Sequence, residues 1–87
     1  MNVVEKKARL YHALGEPTRL RILLHLLGKK EPLCICHLSR HLGKDQSVVF
    51  RHIQLLREAG LVLTQKQGPF LYCRLKNNLK IRRLLGD

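Results

Sequence analysis

Acidic side chains are scarce in this sequence. Its 87 residues include 6 Asp and Glu against 17 Lys and Arg, which gives a formal net charge of +11 with neutral histidines. Such an excess attracts a protein to polyanions, either nucleic acid or an acidic membrane surface. Because the basic residues are spread over segments with helix and strand patterns, they predict a charged face of a folded domain and not a basic tail.

Aromatic residues are also few, with two Phe, two Tyr and no Trp. The core must therefore be built mainly from Leu, Ile and Val. Proteins that read single-stranded RNA stack bases on aromatic side chains, so a basic RNA-binding protein is a remote alternative supported by charge alone. The sequence also lacks an oxyanion-hole loop and a Gly-rich phosphate loop, and we expect no enzyme.

Long apolar runs are absent. No segment approaches the ~20 apolar residues that a membrane-spanning helix needs, and residues 1–14 lack the apolar core and cleavage site of a signal peptide. The chain has three cysteines, an odd number for a disulfide scaffold, and only Cys34 and Cys36 lie close together in sequence. We therefore expect no membrane partner and a reducing, cytoplasmic location.

Helical periodicity predicts four helices before residue 60. They run from Val3 to Leu14, over 18–27 after an initiating Pro17, from near Leu33 to before Gly43, and from Gln46 to Ala59 after an Asp45 N-cap. The second is apolar on nearly all sides, which predicts the most buried helix. The third and fourth, separated by a turn containing Gly43, have the form of a helix-turn-helix.

After residue 60 the pattern changes to two β-rich runs, LVLTQK and FLYCRL, separated by the turn signal QGP. They predict a β-hairpin over residues 61–75, and Asn77 to Leu85 predicts a final helix. The fold class is therefore mainly α with a β-hairpin wing, in the order α-α-α-α-β-β-α. We expect residues 1–87 to form a single winged helix-turn-helix domain.

Four motifs in order, ALGEPTRLRILLHLL, LCICHL, QSVVFRHIQLLREAGLV and LYCRL, make residues 13–75 resemble the ArsR/SmtB family of transcriptional repressors. The resemblance implies a homodimer that uses its first and last helices for dimerisation and binds a double-stranded DNA operator. It also implies release from that operator when a ligand binds, often a metal ion or arsenite. No cofactor is implied beyond that inducer.

The fourth helix is the expected reader of the major groove, which admits an α-helix. Because Val49, Ile53 and Leu56 form its core stripe, the expected base-contacting residues are those on or beside the opposite face: Gln46, Ser47, Phe50, Arg51 and Gln54. Gln pairs well with adenine and Arg with guanine. For Phe50, contact with a thymine methyl and packing against the hairpin are equally open.

Phosphate contacts are expected from basic residues around this helix and on the hairpin. Taken singly, each is more often a solvated charge, but the set together favours DNA. The candidates are Arg40, Lys44, Lys66, Arg74 and Lys76, with Lys66 near the hairpin tip.

The stretch LCICHLSRH combines two cysteines with two histidines, which suit thiophilic metals, and thiolates alone suit arsenite. On a regular helix, residues i and i+2 lie about 200° apart. Either the helix start unwinds so that Cys34 and Cys36 converge, or Cys34 joins His37 and His41 on one side of an intact helix.

Relatives in the ArsR/SmtB family place their thiolate sensor in the same LC-x-C motif, and this similarity implies a metal or arsenite site of Cys34 and Cys36. His37 stands where the family usually has an acidic residue, and it is the expected further ligand, with His12, His41 or a residue of the second subunit as alternatives. Zn, Cd and arsenite are the expected inducers. The alternative is a regulator with no ligand, or one that responds to thiol oxidation, in which Cys34 packs as a small apolar residue. Cys73 is expected to be structural and too distant to join the site, and His25 and His52 to be packing or surface residues.

Overall fold

The chain folds into five helices and three short strands over residues 2–86, the part described by the computed structural model. In chain order these are α1 (Val3–Leu14), α2 (Pro17–Leu26), β1 (Leu33–Cys34), α3 (Ile35–Leu42), α4 (Gln46–Glu58), β2 (Val62–Gln67), β3 (Phe70–Leu75) and α5 (Asn78–Leu85). The predicted winged helix-turn-helix is confirmed, with one strand added before α3.

The hairpin of β2 and β3 forms the wing. The two strands pair antiparallel from Val62 opposite Leu75 to Gln67 opposite Phe70, and Gly68 takes a φ of 60° in the turn between them. β1 then adds to the other edge of β3, so that the sheet order is β1-β3-β2. The hairpin was predicted from sequence, whereas β1 was not.

The prediction that the third helix begins near Leu33 is wrong. Leu33 pairs with Cys73 and Cys34 with Tyr72 across β3, and the helix begins only at Ile35. The extended backbone of Cys34 (φ −64°, ψ 141°) makes it the N-cap residue. Pairing with β3 therefore replaces the first helical turn that periodicity alone suggests.

Side chains and glycines fix the helix ends. The Glu16 carboxylate accepts hydrogen bonds from the backbone N–H groups of Thr18 and Arg19, which caps α2 where Pro17 has no N–H to offer. Gly43 ends α3 in the left-handed conformation, at φ 65°, which glycine adopts without strain. Asp45 stands at the N-cap of α4 as predicted, but its side chain makes no capping hydrogen bond.

The core lies between the helices and the wing, and it is almost entirely aliphatic. Its most buried large side chains are Ile22, Leu23, Leu26, Leu38, Ile53, Leu56, Leu61 and Ile81. The predicted stripe of Val49, Ile53 and Leu56 is fully buried. α2 contributes three core residues and has more buried residues than any other helix, as predicted. Its Leu24 is nevertheless 55% exposed, so one of its apolar side chains faces solvent.

Apolar residues remain uncovered on the two terminal helices. On α1, Val4 is 75% and Tyr11 62% exposed, and on α5 Leu79 is 56% exposed. In contrast, Ala13 of α1 and Ile81 of α5 are buried in the core. Each terminal helix thus packs against the domain by one side and exposes apolar side chains on another.

Arg19 is a buried charged residue at the start of α2, only 6% exposed. Its Nε donates to the carbonyl oxygen of Ala13 at 2.8 Å and its Nη2 to that of His12 at 3.0 Å. Its Nη1 lies 3.2 Å from Nδ1 of His52 on α4. One guanidinium therefore satisfies carbonyl groups at the C-terminal end of α1 and joins α1, α2 and α4.

Replacing Arg19 by Met should destabilise the fold, because Met keeps the apolar stem but leaves buried carbonyl oxygens without a donor. We expect a loss of about 1–3 kcal/mol in the free energy of unfolding, measured by urea denaturation at a fixed chain concentration. Arg21→Met on the exposed side of the same helix is the control, and it should change stability by no more than about 0.5 kcal/mol. Equal effects of the two substitutions would contradict this role for Arg19.

Candidate nucleic-acid interface and metal centre

The outer face of α4 presents polar side chains to solvent in front of the wing. Of the five predicted base-contacting residues, Gln54 is half-buried and the others are exposed: Gln46, Ser47, Phe50 and Arg51. Phe50 is 40% exposed, so its ring is neither fully packed nor free. The first two turns of α4 thus offer an amide, a hydroxyl, an aromatic ring and a guanidinium on one accessible surface.

Exposed basic residues also lie on α3, in the turn before α4 and on the wing. Arg40 lies on α3 and Lys44 in the turn that precedes α4, and both are exposed. On the wing, Lys66 pairs with Leu71 next to the Gly68 turn. Arg74 and Lys76 are exposed at the other end of β3. All five predicted phosphate contacts are therefore accessible to a large anion.

The turn between α3 and α4 is tied by hydrogen bonds to the last turn of α3. The backbone N–H groups of Gly43 and Lys44 both donate to the carbonyl of Ser39, and the Ser39 hydroxyl donates to the carbonyl of Lys44. α4 then begins at Gln46. These hydrogen bonds connect the last turn of α3 directly to the residue two positions before α4.

His52, on α4, lies in surroundings that favour its neutral form. Burial lowers its pKa, and the nearby Arg19 guanidinium acts in the same direction against the opposing effect of Glu16. Its Nδ1 lies 3.2 Å from Arg19 Nη1 and 3.5 Å from the Glu16 carboxylate. Because a neutral ring can accept from the guanidinium, we assign the Arg19 hydrogen bond to Nδ1 and treat Glu16 as a nearby charge only.

Cys34 and Cys36 are brought together at the start of α3, where their sulfurs are joined as a disulfide and their Cα atoms are 5.1 Å apart. Both are half-buried. The sulfurs meet without unwinding of α3 because Cys34 belongs to β1 and only Cys36 lies in the helix. The Cys34 sulfur also accepts a hydrogen bond from the Cys36 N–H at 3.2 Å, as an N-cap side chain does.

The His37 ring is directed at His25 and not at the sulfurs of Cys34 and Cys36. Its Nε2 lies 3.1 Å from Nε2 of His25 on α2, and the His25 ring stacks on that of His41 with centroids 3.9 Å apart. Within residues 2–86, no three His, Cys, Asp or Glu side chains are directed at one common centre as metal ligands would be. The structure thus separates a thiol pair from a histidine cluster.

Cys73 lies closer to Cys34 along the sheet than expected, but it faces the opposite side. Cys34 pairs with Tyr72, and successive residues of a strand point to opposite faces, so Cys73 points into the core. It is 1% exposed, and burial raises the pKa of its thiol to about 12. At neutral pH this sulfur is a protonated, packed side chain.

The family pattern described as "Bacterial regulatory protein, arsR family" matches residues 16–64 of this chain. That range extends from Glu16 at the start of α2 into β2, so it includes the thiol pair and the whole of α4. The chain belongs to the ArsR family. This membership confirms the resemblance seen in the sequence, and it makes the chain a regulatory protein and not an enzyme.

Relatives with sequence identity above 30% include the arsenical resistance operon repressor of Escherichia coli, at 41% over 82% of this chain and 60% of that protein. An uncharacterised HTH-type transcriptional regulator of Methanocaldococcus jannaschii is 38% identical over 80% of this chain and 78% of its own length. The ArsR-family chain thus spans less than two thirds of the length of the E. coli relative.

Solved structures with the same fold include HlyU from Vibrio cholerae. It superposes with a TM-score of 0.79 at 31% identity and covers 97% of this chain and 94% of that one. None of the helices found in residues 2–86 is long and apolar enough to cross a membrane.

Two features of the site were missed by the sequence analysis. The first is the anchoring of His52 by Arg19, which no spacing rule predicts because the two residues lie on different helices. The second is the approach of His25 to His37 and His41. The spacing of His37 and His41 did place them on one side of α3, but nothing in the sequence indicated that α2 would direct a third imidazole at that side.

After reduction, two of the three thiols should react quickly with a disulfide reagent at pH 8 and the third only on unfolding. The half-buried Cys34 and Cys36 are accessible, whereas Cys73 is buried and, with a pKa of about 12, has a thiolate fraction on the order of 1 in 10,000 at that pH. Thiol titration of native and guanidinium-unfolded protein measures the difference. A third fast-reacting thiol in native protein, or a Cys73→Ser variant with only one fast thiol, would show that the assignment is wrong.

Proposed function

We propose that this protein is a homodimeric, operator-binding transcriptional repressor that releases DNA when arsenite or a soft divalent metal such as Cd or Zn binds Cys34 and Cys36. The observation that carries the proposal is the convergence of the two sulfurs at the first turn of α3, next to the helix that faces solvent as a DNA reader would. A cytoplasmic location, where DNA is present and thiols stay reduced, belongs to the same proposal.

Groove binding is supported by the exposed surface of α4. Arg51 and Gln46 stand on its first two turns, from which base edges are normally contacted, and each can make a bidentate contact with one base. Ser47 and Gln54 add hydrogen-bonding groups, and Phe50 adds an apolar surface for a thymine methyl. No acidic residue lies in the first turn of this helix, and Asp45 at the N-cap is the acidic residue next to it.

Binding to the phosphate backbone of DNA is supported by the basic residues on either side of α4. Arg40 and Lys44 lie at the α3 side and Lys66 at the wing tip, so that they can contact phosphates on both flanks of a groove occupied by α4. The net charge of +11 makes this sequence-independent attraction strong and dependent on salt. Positioning on DNA and base reading are thus assigned to different residues.

Dimerisation is supported by the exposed apolar side chains of the terminal helices. Val4 and Tyr11 on α1 and Leu79 on α5 are exposed in the single chain. In the sequence α1 precedes the DNA-binding elements and α5 follows them, and neither helix contributes to the α4 surface. A second copy of the chain would cover them, as isologous dimer interfaces do. Two α4 helices would then reach half-sites about one helical turn, roughly 34 Å, apart.

The inducer acts at the junction of β1 and α3. Each thiol must lose its proton to become a metal ligand, and a sulfur at a helix N-terminus lies where the helix dipole favours negative charge. An ion held by Cys34 and Cys36 joins a strand residue to the first turn of α3. Any resulting shift of α3 reaches Gln46 through the hydrogen-bonded turn at Ser39, Gly43 and Lys44.

A second candidate function is regulation by thiol oxidation, and the disulfide between Cys34 and Cys36 favours it. In that reaction two thiols lose two electrons and two protons to an oxidant such as a peroxide, which is reduced at its O–O bond. The same junction of β1 and α3 would then be altered by an S–S bond in place of a bound ion. Oxidant and arsenite responses can be measured separately on one protein.

Arg51→Ala should reduce discrimination between operator and random DNA, by about 1–3 kcal/mol if Arg51 makes a bidentate base contact. Lys66→Ala should weaken binding to both DNAs by the same factor and reduce the salt dependence by about one ion. Fluorescence anisotropy at several salt concentrations measures both effects.

Arg57→Ala is the matched control for Arg51, because it removes the same charge from the last turn of the same helix. It should leave discrimination between the two DNAs unchanged. If Arg51→Ala retains the discrimination of the wild-type protein, α4 does not read bases through this face.

Cys36→Ser should abolish ligand-induced release of operator DNA while leaving the fold and ligand-free DNA binding intact. Cys36 lies outside the buried core, so the substitution removes one sulfur ligand without opening a cavity. Operator affinity is measured by anisotropy during titration with arsenite, Cd and Zn in the presence of a reductant.

Cys73→Ser is the control and should respond to these ligands as the wild-type protein does. A normal response of Cys36→Ser, or no response of the wild-type protein to any of the three ligands, would overturn the sensor assignment. Release by peroxide in the absence of these ligands would instead support the oxidation mechanism.

A further inference from the structure

Three imidazoles from two helices form a cluster separate from the thiol pair. His37 and His41 are four residues apart on α3, the spacing at which two side chains share one face of a helix and at which paired helical histidines hold a metal ion. His25, on α2, lies against both of them. His25 is half-buried, whereas His37 and His41 are exposed.

The nitrogens of His25 and His37 are separated by nearly the distance found between two ligands of one ion. Their Nε2 atoms are 3.1 Å apart. Two imidazole nitrogens that bind the same tetrahedral ion at 2.0–2.1 Å are separated by roughly 3.3 Å. In the metal-free protein one of these nitrogens must carry a proton that the other accepts, and a metal ion would take the place of that proton.

We propose that His25, His37 and His41 form a binding site for a divalent transition-metal ion that prefers imidazole, such as Ni²⁺, Co²⁺ or Zn²⁺. The site goes beyond the proposed function because it uses neither cysteine. The ion would cross-link α2 to α3, and water would complete its coordination from the open cleft of about 520 Å³ that His25 and His41 line with Arg21, Leu24, Leu42 and Lys44.

The third ligand requires a rotation of one ring. The rings of His25 and His41 are stacked at 24°, and the three nitrogens do not yet point to one centre. Because His41 is exposed, its side-chain torsions can change without displacing core atoms. Two nitrogens are therefore already placed and the third is within reach.

Charge in the surroundings both favours and opposes the site. Burial, together with the neighbouring His41, His37 and Lys29, lowers the pKa of His25, which keeps that ring neutral as a ligand must be. Lys29, with Arg21 and Lys44 of the cleft, repels a divalent ion. Such exposed charges are screened beyond about 8 Å at physiological salt, and uncharged three-histidine sites bind Zn²⁺ without any carboxylate ligand.

The experiment uses untagged protein in which the thiol pair has been removed by Cys34→Ser and Cys36→Ser, since Ser can still cap α3. Isothermal titration with Ni²⁺ at pH 7.5 should show one ion bound per chain. His25→Asn and His41→Asn, each introduced into this background, should weaken binding by at least the ~10-fold that metal sites lose even when an outer-shell partner is removed. Ni²⁺ should also raise the Tm of the parent and not of these variants.

His12→Asn is the matched control, because His12 is an exposed histidine on α1 and its ring has no part in the cluster. It should bind Ni²⁺ as the parent does. No binding by the parent, unchanged affinity in His25→Asn, or an equal loss in His12→Asn would overturn the site. Because the thiol pair is absent throughout, none of these results depends on whether Cys34 and Cys36 sense an inducer.

Discussion

The buried guanidinium of Arg19 is the contact on which the arrangement of the helices depends. It binds the carbonyl groups that end α1 and reaches His52 on α4, while its own backbone N–H is capped by Glu16. In the proposed dimer, α1 lies in the interface and α4 in the groove. The distance between two α4 helices on DNA would then depend partly on one side chain, whose helix start is capped by Glu16.

α3 is the second point at which several functions meet, although it has only eight residues. Its start carries the thiol pair, its outer face carries His37 and His41, and its last turn is bonded to the turn before α4. The two proposed ligand sets would therefore act on one helix, with soft sulfur at one end and imidazole on one side. His37 was predicted to be a ligand of the sulfur site, but in the structure its ring contacts His25 on α2.

Much of this fold could be predicted from sequence because it depends on residue patterns within single segments of the chain. The core stripe of Val49, Ile53 and Leu56, the turn at Gly43 and the hairpin around Gly68 each follow from periodicity or from a backbone conformation that suits glycine. β1 could not be predicted, since two residues carry no periodicity and only pairing with β3 makes them a strand. The burial of Arg19, the exposure of Leu24 and the approach of His25 to α3 likewise depend on how helices pack, which no single segment encodes.

The position of β1 changes how the thiol pair must be understood. Had Cys34 been helical, as the sequence suggested, an ion shared with Cys36 would have required the helix to unwind, and the cost of unwinding would have reduced affinity for the ion. Because Cys34 is already extended and paired with Tyr72, that cost is absent. Any coupling to DNA must then come from small shifts between a strand held by the wing and a helix held by the turn. Thermodynamic linkage makes this coupling reciprocal, so DNA that holds α4 and the wing in fixed positions would weaken inducer binding by the same factor as the inducer weakens DNA binding.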